Sequence, residues 1–184
     1  LKQINNLTEL FFDQFNKQIN KNKILLSTLG DKSRDYSWQE THDFINLVSN
    51  ELRKLISKGD RCLLISENRP EWFITDLSIM LSEGITVPAY TTYTENDYNY
   101  ILNDCTPSII FVSNIEQFTK LKNIIKDKKF IKKIFSFEKL PNLDIDYINL
   151  IDLVKNNNKK KLQIHKSLAS RKDPSCIIYT SGTQ

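Results

Sequence analysis

The sequence predicts an α/β fold in which layered, mostly parallel sheets are flanked by helices. Short apolar runs typical of strands alternate along the chain with segments whose apolar residues recur at helical spacing. This alternation is typical of parallel sheets, in which helices connect consecutive strands. The run at 108–113, SIIFVS, supports the prediction because its four central residues are all apolar, as a strand covered on both faces requires.

The first third of the chain predicts two helices with a strand between them. The segment 8–20 is amphipathic, and the run at 24–29 reads as a strand. Ser37 and Glu40 stand three residues apart, the spacing of a capping box that opens the second helix. The apolar positions that share a face are Leu10, Phe11, Phe15 and Ile19 in the first helix, and Phe44, Val48, Leu52 and Leu55 in the second.

The middle of the chain predicts three strands separated by two helices. Gly84 is a candidate C-cap glycine for the first of these helices, and Thr94 is a candidate N-cap for the second. Pro88 has no N–H to donate, so the strand that carries it is expected at a sheet edge or to end there. The strands are expected at 61–66, 85–90 and 108–113, and the helices at 70–82 and 95–104.

The last third of the chain is less regular. One segment, INLIDLV at 148–154, fits a helix and a strand equally well, and both alternatives stay open. The polar run at 156–161 is expected to be a surface loop or linker. The remaining elements are a helix at 115–126, a strand at 131–137 and a short buried strand at 176–179.

Composition bounds the class of protein. The chain has 184 residues, enough for one domain or most of one, with 40% hydrophobic and 26% charged residues. It contains neither an apolar run of the ~20 residues that span a bilayer nor a secretory signal near its start. We expect Cys62, Cys105 and Cys176 to be buried free thiols, and His42 and His165 to be structural or surface residues. These features favour a cytoplasmic protein, and a peripheral contact with a membrane surface stays open.

Charge is unevenly distributed along the chain. The first 116 residues hold 11 Lys+Arg and 16 Asp+Glu, whereas residues 117–184 hold 15 and 6. A basic half is able to meet nucleic acid, anionic lipid or a phosphorylated ligand. Because the lysines occur with many asparagines and isoleucines, we favour a solvated lysine-rich surface, and no nucleic-acid partner is expected.

The strongest candidate site is the turn Thr180-Ser181-Gly182-Thr183, which follows the apolar run Cys176–Tyr179. Glycine lets the backbone approach a phosphate, and the N–H groups and hydroxyls of such a turn donate to phosphate oxygens. The chain has no Walker A loop, no Gly-x-Gly-x-x-Gly fingerprint and no Gly-x-Ser-x-Gly elbow. The turn therefore fits a protein that handles a nucleoside triphosphate, and an incidental Ser/Gly turn after a strand is the alternative that stays open on this motif alone.

Several short blocks accompany this turn in a fixed order. They are DYSW at 35–38, GDR at 59–61, ENRPEW at 67–72, Gly84 followed by VPAY at 87–90, YILND at 100–104 and IYTSGT at 178–183. Together they closely resemble the AMP-forming adenylating enzymes and, within them, the long-chain fatty-acid:CoA ligases. The resemblance spans about residues 7–184. It implies the large N-terminal domain of that fold, with residues 1–184 an incomplete adenylation domain whose C-terminal part and lid domain are absent.

The resemblance also implies an activity. Such an enzyme joins a fatty acid to CoA through an acyl-AMP intermediate, with ATP, Mg²⁺ and CoA as substrates and cofactors. By position, Thr180, Ser181, Gly182 and Thr183 bind the ATP phosphates, and Thr180 also binds Mg²⁺. No catalytic residue is expected within residues 1–184, so this chain alone is expected to be inactive. Two alternatives are an adenylating enzyme for another carboxylic acid and a non-catalytic α/β module that binds polyanions through residues 117–172.

The other family-like residues have structural interpretations. Glu67, Arg69 and Glu71 are expected to fix a loop and cap a helix. Trp72 and Phe73 are expected in the core between helix and sheet. The aromatic group Tyr90, Tyr93, Tyr98 and Tyr100 fits the entrance of an acyl or CoA site, although Tyr98 and Tyr100 are expected to pack a helix.

Overall fold

A five-stranded parallel sheet with helices on both faces forms the centre of the structure. The computed structural model describes residues 3–28, 34–141, 145–157 and 162–180. The strands are β1 (Ile24–Leu26), β2 (Tyr36–Ser37), β3 (Arg61–Ile65), β4 (Ile85–Ala89), β5 (Ile109–Val112), β6 (Lys133–Ser136) and β7 (Tyr147–Asn149). The helices are α1 (Leu7–Lys17), α2 (Trp38–Leu52), α3 (Pro70–Leu81), α4 (Glu95–Cys105), α5 (Ile115–Thr119) and α6 (Leu150–Asn157). The predicted α/β class is confirmed.

The sheet has the strand order β4-β3-β5-β6-β7, and every neighbouring pair is parallel. β1 and β2 form a separate antiparallel pair. The four residues of β5, the central strand, are all buried, as its apolar run predicted. β4 lies at the edge of the sheet, which agrees with the prediction from Pro88.

Side chains on the two faces of the sheet form two separate cores, because successive residues of a strand point to opposite faces. Cys62 and Leu64 of β3 pack with α1, α2, α3 and α6. Leu63 and Ile65 of the same strand pack with α4 and α5. Both faces of the sheet are therefore covered, which is the usual condition for a parallel sheet.

Two helices begin as the sequence predicts. The Ser37 hydroxyl accepts from the Glu40 N–H, and the Glu40 carboxylate accepts from the Ser37 N–H at 2.8 Å, so α2 opens with a complete capping box. Thr94 and Asp97 make the same pair of bonds at the start of α4. The α4 helix consequently starts directly beyond the carboxyl end of β4, where it frames the candidate site.

The first helix is shorter than expected, and two of its predicted core residues are exposed. α1 ends at Lys17, so Ile19 lies outside the helix and is fully exposed. Leu10 is also exposed, because the buried stripe of α1 runs through Phe11 and Phe15 instead. Periodicity placed all four residues on one broad face, but only the centre of that face contacts the core.

Gly84 has a different role from the C-cap glycine that was predicted. The α3 helix ends at Leu81, and Glu83 adopts the left-handed conformation at φ 62°. The Gly84 N–H still donates to the Ile79 carbonyl at 3.0 Å. A Cβ on Gly84 would lie 3.0 Å from side-chain atoms of both Ile56 and Ile79, so the glycine serves close packing.

The last third of the chain combines the alternatives that the sequence left open. Residues 148–154 contain both candidates, since β7 ends at Asn149 and α6 begins at Leu150. α5 covers only Ile115–Thr119 of the helix predicted at 115–126, and a series of turns follows it. Of the polar run at 156–161, the first two residues end α6 and the other four lie outside the described residues.

Candidate functional site

The chain leading into the predicted phosphate turn runs along the outer edge of β4. The Thr86 N–H donates to the Ser175 carbonyl at 3.0 Å, and the Ile177 N–H donates to the Thr86 carbonyl at 2.9 Å. This is a parallel bridge between Thr86 and Cys176. The segment therefore advances towards the carboxyl end of the sheet, the side on which parallel α/β sheets bind their ligands.

Thr180 is exposed at this carboxyl end, where β4 finishes and the loop to α4 begins. The Tyr93 hydroxyl, in that loop, donates to the carbonyl of Tyr179 at 3.3 Å. Ser181, Gly182 and Thr183, the other predicted phosphate-binding residues, lie outside the described residues.

The prediction of a buried strand at 176–179 is wrong in two respects. Pairing with β4 is limited to one bridge, so the segment is extended but not a continuous strand. Its apolar side chains are divided between core and solvent: Ile177 and Tyr179 pack on the α4 side of the sheet, whereas Ile178 is 63% exposed. Cys176 is exposed as well, in contrast to the buried thiols of Cys62 and Cys105.

Tyr179 makes the most specific side-chain contacts of this segment. Its hydroxyl donates to the Asp104 carboxylate at 2.5 Å, and its ring meets Tyr100 edge to face with centroids 6.1 Å apart. Burial raises the pKa of Tyr179, and the hydrogen bond to Asp104 raises it further. Tyr179 consequently stays a protonated donor at neutral pH.

A buried ion pair lies beyond the carboxyl end of β3. Glu71 accepts from the Tyr36 hydroxyl at 2.7 Å and from the Arg69 guanidinium at 2.8 Å, one bond to each carboxylate oxygen. Arg69 also donates to Glu138, which follows β6, at 2.9 Å. Burial alone would raise the pKa of Glu71, but the bonds from Arg69 and Tyr36 outweigh it and lower the pKa. The contacts confirm that Arg69 and Glu71 fix a loop, whereas Arg69, the N-cap residue of α3, makes no side-chain capping hydrogen bond.

Two further contacts order the loops at the same end of the sheet. Lys120 donates from α5's C-terminal end to the Thr91 carbonyl at 2.6 Å, which ties down the loop after β4. Asn114, the N-cap of α5, donates to Glu67 at 3.4 Å. Side chains from neighbouring elements thus hold two loops at this end of the sheet in place.

The aromatic residues named from the sequence take different positions. Trp72 packs against the core as expected, but Phe73 is exposed and meets only the edge of the α1–α3 contact through Phe11. Tyr98 is buried in α4 as expected. Tyr100 is exposed on α4, because its side chain packs against Tyr179 rather than the helix core.

The two histidines are structural or surface residues, as expected. His42 is buried, stacks on Phe15 with ring centroids 4.1 Å apart and lies 2.7 Å from the Asp43 carboxylate. His165 is half-buried, and its backbone N–H donates to the Asn46 side chain. Within the described residues, no group of three or more His, Cys, Asp or Glu side chains is arranged to hold a metal ion.

Several lysines of the basic half are committed to local contacts. Lys132 contacts Asp60 and the Leu55 carbonyl, Lys133 pairs with Asp146, and Lys139 pairs with Asp152. For these three lysines, separate acidic partners favour the solvated-surface interpretation. None of the helices in the described part is long and apolar enough to cross a membrane.

Sequence reasoning missed Asp104 and Tyr93 as neighbours of Tyr179, the residue before the predicted phosphate turn. Asp104 belongs to the block at 100–104, but nothing in that block indicates which residue it faces. Its position in the last turn of a helix that covers the edge strand brings it to Tyr179. Only the packing of α4 beside β4 reveals this contact.

Comparison with known proteins gives a consistent result. A family model described as AMP-binding enzyme matches residues 11–184. The long-chain-fatty-acid–CoA ligase ACSBG2 of Xenopus laevis is 27% identical over 167 residues, which are 86% of this chain and 22% of the relative. Fatty acyl-CoA synthetase A of Dictyostelium discoideum is also 27% identical over 167 residues, 83% and 24% of the two chains. The chain therefore spans about a quarter of the length of the curated relatives it matches.

Solved structures share the fold. The anthranilate CoA ligase AuaEII, in complex with anthranoyl-AMP, superposes with a TM-score of 0.80 at 21% identity. The match covers 98% of this chain and 32% of that structure. At this identity the likeness concerns the fold alone.

Proposed function

The chain belongs to the family of AMP-binding enzymes, and on that premise we propose that it is the N-terminal part of the adenylation domain of a long-chain fatty-acid:CoA ligase. One observation carries the proposal: residues 175–180 run alongside β4 and bring Thr180 to the carboxyl end of the parallel sheet. The named relatives, which are fatty-acid ligases, support the substrate class.

The proposed reaction has two steps. A fatty-acid carboxylate oxygen attacks the α-phosphorus of ATP, and the bond to pyrophosphate breaks, which leaves acyl-AMP and pyrophosphate. The thiolate of CoA then attacks the acyl carbonyl carbon, and AMP leaves as acyl-CoA forms. The carboxylate is already ionised at neutral pH, so the first step needs no general base from this chain.

In this proposal the chain contributes phosphate binding. Thr180, Ser181, Gly182 and Thr183 donate hydroxyl and backbone N–H groups to the phosphate oxygens, which stabilises the charge that moves during in-line displacement. Thr180 fits a role in binding Mg²⁺, since its hydroxyl oxygen is an exposed hard ligand and this ion usually keeps several waters beside one or two protein ligands. Bound Mg²⁺ would neutralise phosphate charge.

The proposal extends to the setting of the enzyme. ATP, CoA and a fatty acid are its small-molecule partners. The buried, unpaired thiols of Cys62 and Cys105 suit a reducing, cytoplasmic compartment. Contact with a membrane would be peripheral, at a surface from which a long acyl substrate is taken up.

We expect the intact protein to catalyse fatty-acid-dependent exchange of labelled pyrophosphate into ATP, because formation of acyl-AMP is reversible. Fatty acids of increasing chain length are compared with an aryl acid and an amino acid. If only the aryl acid or the amino acid supports exchange, the result would favour an adenylating enzyme for another acid. Absence of exchange with every acid would reject the ligase proposal, and salt-sensitive retention on heparin would then favour the polyanion-binding module.

The 184-residue chain alone is expected to bind ATP weakly or not at all and to associate in solution. Within the described residues nothing pairs with the outer side of the segment 175–179, and Ile178 is exposed there. An unpaired apolar edge invites pairing with another copy. Light scattering should therefore show oligomers that Ile178→Lys reduces.

The matched control is Leu168→Lys, since Leu168 is also an exposed apolar residue but lies outside this edge. It should add the same charge without changing the association. A monodisperse wild-type monomer that binds ATP with micromolar affinity in calorimetry would contradict the prediction and favour a self-contained binding module.

A further inference from the structure

We infer that Tyr179 is a positioning residue that sets the affinity for ATP, because its hydrogen bonds with Asp104 and Tyr93 hold the start of the phosphate turn. The inference rests on the proposed function, which assigns residues 180–183 to the ATP phosphates. The three side chains Tyr179, Asp104 and Tyr93 are called the Tyr179 anchor below.

The anchor is the last described attachment before the turn. The backbone bonds to β4 end at Ile177, three residues before Thr180. After Ile177, the described backbone makes one hydrogen bond to the rest of the fold, from the Tyr93 hydroxyl to the Tyr179 carbonyl. The Tyr179 side chain adds two attachments, the bond from its hydroxyl to Asp104 and the edge-to-face contact of its ring with Tyr100. The direction in which the chain enters the turn thus depends on the anchor.

Asp104 is held firmly enough to serve as a fixed point. It lies in the last turn of α4, and Arg61 of β3 binds the end of that helix. The Arg61 guanidinium donates to the Cys105 carbonyl at 2.7 Å and to the Thr106 hydroxyl at 2.8 Å. Thr106 takes the left-handed conformation at φ 43° and closes the helix. The backbone that carries Asp104 is therefore held in place with the end of α4.

Tyr93 is fixed from the opposite side. Its ring packs against Tyr90, with centroids 5.4 Å apart, and against Tyr98, with centroids 6.0 Å apart. Tyr98 is buried and donates to the Tyr90 carbonyl at 2.7 Å. Lys120 binds the Thr91 carbonyl in the same loop. The anchor consequently joins the segment before the turn to two parts of the fold, α4 and the loop after β4.

The chemistry of the contacts explains an effect on binding. A hydrogen bond to a carboxylate is among the stronger ones available to a tyrosine. Losing it would let the turn sample conformations in which its donors do not converge on the phosphates. The apparent dissociation constant for ATP rises in inverse proportion to the fraction of molecules in which the turn is able to bind phosphate. The binding of the acid substrate does not depend on that fraction in the same way.

The test compares the intact wild-type protein with Tyr179→Phe, Asp104→Ala and the double variant. Calorimetry with ATP and Mg²⁺ should show ATP binding weakened about 3- to 10-fold in either single variant. In steady-state assays the KM for ATP should rise in parallel, and the KM for the fatty acid should stay unchanged. The double variant should bind ATP as well as the single variant with the lower ATP affinity, because both changes break the same hydrogen bond.

The matched control is Tyr147→Phe, which also removes a hydroxyl that makes hydrogen bonds, but in β7 at the far edge of the sheet. It should leave ATP affinity unchanged. If Tyr179→Phe lowers the midpoint of thermal unfolding, Asp104→Asn carries the comparison, since it leaves Tyr179 intact and removes only the charge of its acceptor.

The outcomes separate the two claims. Weakened ATP binding without any acyl-CoA formation would overturn the proposed ligase function and support the anchor. Acyl-CoA formation with unchanged ATP affinity in both single variants, or additive effects in the double variant, would overturn the anchor alone. A wild-type protein that does not bind ATP would overturn both.

Discussion

Thr180→Val is expected to lower turnover of the intact protein about 100- to 1,000-fold, the loss typical of removing one hydroxyl that stabilises a transition state. The substitution nearly preserves the shape of the side chain. Thr180 is exposed, so the change leaves no buried cavity or unpaired polar group. The midpoint of thermal unfolding should therefore stay close to the wild-type value. Turnover is measured by acyl-CoA formation at saturating ATP, Mg²⁺ and fatty acid.

Thr180→Ser is the matched control, because it keeps the hydroxyl and removes a methyl group. It should retain most of the activity. If Thr180→Val is as active as the wild type at saturating Mg²⁺, Thr180 is only a turn residue and its proposed role in binding phosphate and Mg²⁺ is wrong.

The sheet and its helices were largely predictable, because their signals are local. β3 and β5 are short apolar runs, and α2 and α4 begin at side chains that cap them. Each of these features acts within a few residues and needs no partner from elsewhere in the chain. Even the ambiguity at 148–154 had a local cause, since a strand and a helix meet there at Asn149.

The errors arose where burial depends on distant neighbours. The run Cys176–Tyr179 has the composition of a buried strand, but among the described residues only β4 pairs with its backbone, and Cys176 and Ile178 face solvent. Similarly, Gly84 has the spacing of a C-cap glycine, yet the positions of Ile56 and Ile79 explain why it is small. No local pattern contains that information.

The candidate site shows the same division. Composition and resemblance identified Thr180 and its turn, because hydroxyls and a glycine after an apolar run are a local pattern. The side chains that hold Tyr179, just before the turn, are those of Asp104 and Tyr93, which lie 75 and 86 positions away from it in the sequence. Such contacts follow from how α4 packs against the edge of the sheet, which only the fold determines.

Glu71→Gln is expected to destabilise the protein by about 3 kcal/mol, near the lower end of the range for breaking a buried ion pair. The Glu71 side chain is 4% exposed and that of Arg69 is 23% exposed, so removing the carboxylate leaves a largely desolvated guanidinium with Glu138 alone. The hydrogen bond from Tyr36 would also lose its charged acceptor. The midpoint of thermal unfolding at pH 7 should fall by several degrees.

The pH dependence and a control distinguish this ion pair from general damage to the fold. The pKa of Glu71 is lowered on folding, so its contribution is complete above the ordinary carboxyl value of 4.5 and is lost as pH falls through the folded pKa. The stability difference between wild type and Glu71→Gln should therefore shrink in acid. Glu138→Gln removes the partner that is 42% exposed and should cost only ~0–1 kcal/mol. Equal losses in the two variants, or a difference that does not shrink at all as the pH is lowered below 4.5, would show that Arg69 does not depend on the buried carboxylate of Glu71.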